Sequence, residues 1–206
     1  MQISLSDTGK RFNRDWIFRK LSYQFNPGNA YAITGANGSG KSTLLQLIAG
    51  AIVASEGSIS YCSGNGNVIA PEKVFTHIAI ATPAQELIEE MTLSEFLAFH
   101  HQFKPFLPGL PVADIAGLVS LEHAAHKQIR YYSSGMKQRV KLAQAILSDT
   151  PCVLLDEPCS NLDEPGIRLY HSLISDYTAN RLVVVSSNDR QEYSFCKHII
   201  DIQQFK

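Results

Sequence analysis

The sequence predicts an α/β fold: a mainly parallel sheet covered by helices on both faces, preceded by an antiparallel β subdomain and interrupted by a helical one. Three observations carry this reading. Short continuous apolar runs, Ala30-Tyr31-Ala32-Ile33, Cys152-Val153-Leu154-Leu155 and Leu182-Val183-Val184-Val185-Ser186, alternate with helical stretches, as strands buried on both faces do. The first 25 residues alternate instead, as half-exposed strands do. From about 84 to 130 the β signal gives way to helical spacing. The 206 residues are read as one domain, 1–206, with the helical subdomain at about 84–130 inserted in the core.

The elements follow in order. Ile3 and Leu5 give a short strand that ends in a turn at Asp7-Thr8-Gly9. Trp16-Ile17-Phe18 and Leu21 to Phe25 continue the β pattern, and Pro27-Gly28-Asn29 turns the chain into the Ala30 strand. Leu44 to Gly50 reads as a helix closed by glycine. Ser58 to Tyr61 is a strand, and Gly64-Asn65-Gly66-Asn67 suggests a hairpin over 58–70. His77 to Ala81 is a buried strand stopped by Thr82-Pro83. Thr92-Leu93-Ser94-Glu95 opens a helix with a capping box. Pro105, Pro108, Gly109 and Pro111 break the pattern, and a second helix covers Val112–Leu118. Further helices are expected near 135–148 and 166–178, and a helix and a short strand, Ile199 to Ile202, close the chain.

Composition narrows the functions. The formal net charge of −1 gives no basic excess for nucleic acid and no acidic tail. Cys62, Cys152, Cys159 and Cys196 form no C-x-x-C pair and read as reduced thiols, not as a disulfide frame or zinc site. The start lacks a basic segment followed by an apolar core, so no signal peptide is expected. No run approaches the ~18–20 apolar residues of a membrane span. His100-His101 and His123-x-x-His126 are read as surface histidines, not metal ligands.

Gly35-Ala36-Asn37-Gly38-Ser39-Gly40-Lys41-Ser42-Thr43 matches G-x-x-x-x-G-K-[ST], between a strand and a helix. The glycines let backbone N–H groups converge on phosphate oxygens, and the following helix adds its positive end. Lys41 should reach the β- and γ-phosphates, and the Ser42 hydroxyl should ligate Mg²⁺. The α/β core is thus that of a P-loop NTPase. Cys152 to Leu155 then runs into Asp156-Glu157-Pro158. Successive strand side chains point opposite ways, so the two carboxylates should differ in role. Asp156 is expected to hold Mg²⁺ and Glu157 to polarise the water that attacks the γ-phosphate.

Tyr132-Ser133-Ser134-Gly135-Met136-Lys137-Gln138-Arg139 resembles the Leu-Ser-Gly-Gly-Gln signature of the ATP-binding subunits of ABC transporters, and the resemblance covers nearly the whole chain. Ser134 replaces the first glycine and Met136 the glutamine. Ser133 or Ser134 can cap the helix that follows. The resemblance implies an ATPase that uses ATP and Mg²⁺. Two copies would close head to tail, as a homodimer, with Ser133, Ser134 and Gly135 against the γ-phosphate held by the opposite P-loop. Asp163, in Ser160-Asn161-Leu162-Asp163, would touch the partner's P-loop. Phe12 stands where the family places an aromatic ring on adenine, with Trp16 as its rival. The family's glutamine falls on Pro83 without gaps, and Gln85 serves only if the loop is rebuilt. Asn188 replaces the family's switch histidine; it can donate a hydrogen bond but carries no charge, which predicts a slow ATPase. The partners implied are separate transmembrane permease subunits, with this chain in the cytoplasm, peripheral on the cytoplasmic face of the inner membrane, and no nucleic acid. Alternatives from other classes are a soluble ATPase of this kind acting on ribosomes or DNA, a weakly hydrolysing regulator, and a small-molecule kinase, in which the signature segment has no task.

Overall fold

A computed structural model describes residues 1–206. Three strands, β1 (Gln2–Phe12), β2 (Asp15–Phe25) and β4 (Glu56–Cys62), form an antiparallel sheet in the order β2-β1-β4. Five others, β3 (Ala30–Thr34), β5 (Ile78–Ala81), β6 (Cys152–Asp156), β7 (Leu182–Ser186) and β8 (His198–Asp201), form a wholly parallel sheet in the order β5-β6-β7-β3-β8. The helices are α1 (Lys41–Ile48), α2 (Leu93–Phe103), α3 (Val112–Leu118), α4 (Ser134–Ile146) and α5 (Glu164–Tyr177). None is long and apolar enough to cross a membrane.

Alternation along the parallel strands divides the interior into two cores. Val153, Leu155, Val183 and Val185 join α2, α3, α4 and α5 on one face. Cys152, Leu154, Leu182, Val184, Tyr31 and Ile33 join α1 and the antiparallel sheet on the other. Both faces being covered explains why these strands read as unbroken apolar runs. The helical segment packs as expected. Thr92 caps α2 through a reciprocal bond with Glu95, and Leu93, Phe96 and Leu97 join Ile115, Val119 and Ile129 in its core.

Four readings need correction. The Asp7-Thr8-Gly9 turn is a bulge inside a strand that continues to Phe12: Asp7 takes φ 45° and the register shifts between Leu5 and Thr8. The Asp7 N–H donates to the Ser22 hydroxyl, and the Thr8 hydroxyl donates to the Ser58 carbonyl, so side chains fill the gap in the ladder. The 58–70 hairpin shrinks to one bridge, Cys62 to Val68. Only 11 residues link β7 to β8, and in place of a helix they form a single 3₁₀ turn at Arg190–Tyr193. His100 is buried, not on the surface, and bonds Ser148 and the Gln144 amide. Burial and the neighbouring Lys104 and His101 charges lower its pKa to about 4, so it is neutral near pH 7.

The hinge between α4, α5 and the sheet is one buried cation. Arg181 donates to the carbonyls of Ile146, Ser148, Thr150 and Tyr177 and to the Thr150 hydroxyl. It closes the ends of α4 and α5, where carbonyls lack helical partners. Lys104 does similar work at the outer strand, donating to the Ile78 carbonyl at 2.6 Å. Arg181→Met keeps the packing and strands several carbonyls, so it should cost about 3 kcal/mol or more in urea unfolding.

Candidate nucleotide site

The site lies at the carboxyl ends of the parallel strands, where α/β sheets bind ligands. β3 feeds the glycine loop. Gly35, Gly38 and Gly40 take φ of 143°, 74° and 102°, values that side chains rarely adopt. At Gly35 and Gly40 space is short as well, whereas Gly38 faces open space. A Cβ on Gly40 would sit 2.2 Å from Ile17 Cγ2, and one on Gly35 would sit 2.8 Å from both Ser39 Oγ and Ile202 Cγ2. Ile17 of β2 thus covers the loop, a role the sequence did not signal. Lys41 opens α1 and is buried, its ammonium resting on the carbonyls of Gly35 (2.9 Å) and Ala36 (3.3 Å).

A groove of about 220 Å³ runs over this loop, lined by Asn37, Lys41, Ser42, Thr43 and Glu157 among others. The structure thus brings Glu157 to the P-loop. Asp156 is the last, buried residue of β6, and its Oδ1 has no hydrogen-bond partner. Glu157 is exposed, at φ 43°, with its N–H held by the Ser186 carbonyl at 2.9 Å. Left-handed backbone at a non-glycine residue is a strain of order 1 kcal/mol; here it swings the second carboxylate out of the sheet and into the groove. From β7, the Asn188 Nδ2 donates to the Asn37 Oδ1 at 2.7 Å, which brings the switch segment to the same loop.

Other predicted residues lie elsewhere. Ser133, not Ser134, caps α4, accepting from the Met136 N–H at 3.2 Å. Ser133, Ser134 and Gly135 line a second recess of about 290 Å³ with Arg139, Asn161 and Asp163. Gly135 is glycine for a packing reason: a Cβ there would meet the Asn161 carbonyl at 2.9 Å. Asp163 caps α5 through the Gly166 N–H and pairs with Arg139 at 3.1 Å; these interactions, the Gly166 bond first, hold its carboxyl below the usual range. Gln85 is not brought to the phosphate groove. Its Nε2 donates to Gln144 of α4 at 2.9 Å, and it lines a cavity with Ser134, Lys137 and Lys141. Phe12 is 48% exposed at the β1–β2 tip, 5.1 Å beneath the Lys10 ammonium. Its rival Trp16 packs against the guanidiniums of Arg11 and Arg19, at 5.6 and 4.1 Å from its ring.

A glycine loop, a buried lysine and two carboxylates at the ends of parallel strands define a P-loop nucleoside-triphosphate site. The comparisons with known proteins narrow it. The chain belongs to the ABC transporter family, whose model matches residues 18–160, and is an ATP-binding subunit of that family. It is 35% identical to the cytochrome c biogenesis ATP-binding export protein CcmA of Xylella fastidiosa, over 77% of this chain and 70% of that one. The protein of the same name from Rhodopseudomonas palustris is 33% identical over 83% of each. A dimeric bacterial ABC transporter cassette superposes with TM-score 0.80 at 20% identity, over 97% of this chain and 94% of that one, and shares the fold. The family binds ATP, usually with Mg²⁺. The residues here fit such an ion: Asp156 offers a buried, unpartnered oxygen and Ser42 an exposed hydroxyl.

Gly40→Ala forces a left-handed Cβ into Ile17. Titration with a fluorescent ATP analogue should show at least tenfold weaker binding, and the strain should lower the melting temperature by a few degrees.

Proposed function

We propose that this chain is the ATP-hydrolysing subunit of an ABC transporter, working as a head-to-tail homodimer on separate transmembrane subunits. One observation carries the reading. The phosphate groove and the signature recess share no residue, so one chain offers two incomplete half-sites. A two-fold pair completes both, each P-loop facing the other's Ser133–Gly135 turn. The relatives named as export proteins support work in the outward direction, at the cytoplasmic face of the membrane.

In the closed pair, the Lys41 ammonium leaves its two carbonyls for the β- and γ-phosphates. Ser42 and Asp156 would hold Mg²⁺, which would offset phosphate charge when bound. Glu157 takes the proton of the attacking water. Phe12 offers adenine its free face, the other being under Lys10. Ser133 and Ser134 present hydroxyls, and the start of α4 its N–H groups, to the partner's γ-phosphate. Asp163 braces the turn within its own chain and, lining the signature recess, faces the partner's P-loop. Asn188 donates a neutral hydrogen bond, worth about 0.5–1.5 kcal/mol, where a charged histidine's would be worth about 1.5–3 kcal/mol, a difference of roughly 1–1.5 kcal/mol. Turnover is therefore slow, not absent.

Glu157→Gln should keep ATP affinity and lose at least ~100-fold in turnover; parental turnover would remove Glu157 from catalysis. Lys41→Ala should weaken ATP binding roughly tenfold or more. Asn188→His should raise the rate by up to ~10-fold, and an unchanged rate would mean that Asn188 does not limit it. Tagged Glu157→Gln protein with ATP should recover a multi-span membrane protein from detergent-solubilised host membranes; recovery of ribosomal or DNA-repair proteins alone would overturn the transporter reading.

A further inference from the structure

Glu192 is buried, 5% exposed, yet lies outside both recesses. Its Oε1 accepts the Cys159 N–H at 2.7 Å. Cys159 is two residues beyond Glu157 and opens the run that ends at Asp163. Glu192 is itself clamped. Its N–H donates to the Asp189 carbonyl at 3.0 Å, and its carbonyl accepts the hydroxyl of the fully buried Tyr170 at 2.7 Å. Tyr170 stands on α5, the helix that Asp163 caps. The turn, α5 and the switch segment thus form a closed ring: Cys159 to Asp163, along α5 to Tyr170, across to Glu192, and back to Cys159. Burial raises the Glu192 pKa, with Asp189 and Glu157 adding repulsion and bonds from Ser187 and Cys159 opposing it. A buried carboxylate beside other acids is costly, and its bond to Cys159 is the compensation the geometry shows.

We infer that Glu192 is a positioning residue: by holding the Cys159 N–H it fixes the turn that aims Glu157 at the groove and presents Asn161 and Asp163 to the signature helix. No part of it touches nucleotide. Removing it should leave ATP binding alone, loosen residues 157–163 and slow turnover.

The test uses the full chain and pairs two readouts. Hydrogen–deuterium exchange by mass spectrometry on residues 157–163 should rise roughly tenfold in Glu192→Ala, the loss of one charge-assisted bond, and return close to parental in Glu192→Gln, whose amide oxygen still accepts. ATPase kinetics should show kcat reduced about tenfold in Glu192→Ala with KM unchanged, and recovery in Glu192→Gln. Tyr170→Phe, which removes only the clamp, should raise exchange in the same residues and keeps the question answerable if Glu192→Ala does not fold. Unchanged exchange in either of these variants overturns the inference. So does a glutamine variant as impaired as alanine, or raised exchange with parental kcat. The kinetic arm rests on Glu157 being the catalytic carboxylate. Glu157→Gln measured alongside separates the two ideas: if it retains turnover the catalytic assignment fails, while the exchange data still decide whether Glu192 holds the turn.

Discussion

The phosphate site of this molecule depends on five strands running the same way. Parallel pairing sends the glycine loop out of β3, Asp156 and Glu157 out of β6 and the Asn188 segment out of β7, all at one end of the sheet. Neighbouring strands lie about 4.8 Å apart, so side chains far apart in sequence converge without any long reach. The cost is that each strand needs a crossover. These supply the apolar faces that bury the sheet, and the longest, between β5 and β6, holds the helical subdomain.

A second set of constraints ties α4 to the turn after β6. The Gln138 amide donates to the Pro158 carbonyl, Arg139 pairs with Asp163, and Gly135 lies against the Asn161 carbonyl. The signature turn and the catalytic turn therefore move together. In the proposed pair they serve opposite nucleotides, so a change at one site has a mechanical path to the other.

Much of this was legible in the sequence. The P-loop was, because its glycines answer to backbone angles that only glycine accepts easily. The buried strands were, because burial on both faces leaves no polar position to confuse the pattern. The Asp7-Thr8-Gly9 segment misled because turn residues also build bulges, and only the partner strands decide which. His100 misled because its burial depends on Ser148 and Gln144, far away in sequence. Gln85 shows the limit most clearly. Residue type and rough spacing suited the phosphate site, but the loop after β5 packs down on α4, where Lys141 holds the carbonyls of Thr82 and Pro83. Ile17 and Glu192 gave no signal, since an aliphatic residue in a strand and an acid after a turn are both ordinary.

The outer strands of the parallel sheet settle a different matter. A long bare strand invites a foreign strand to pair with it. Here both outer strands, β5 and β8, are four residues long. On β5 the Lys104 ammonium occupies the Ile78 carbonyl. β8 is preceded by Lys197 and ends in a 3₁₀ turn. Neither side of the sheet offers a template for growth. The two copies of the proposed pair, which would meet and part repeatedly, are thereby kept from joining edge to edge through this sheet.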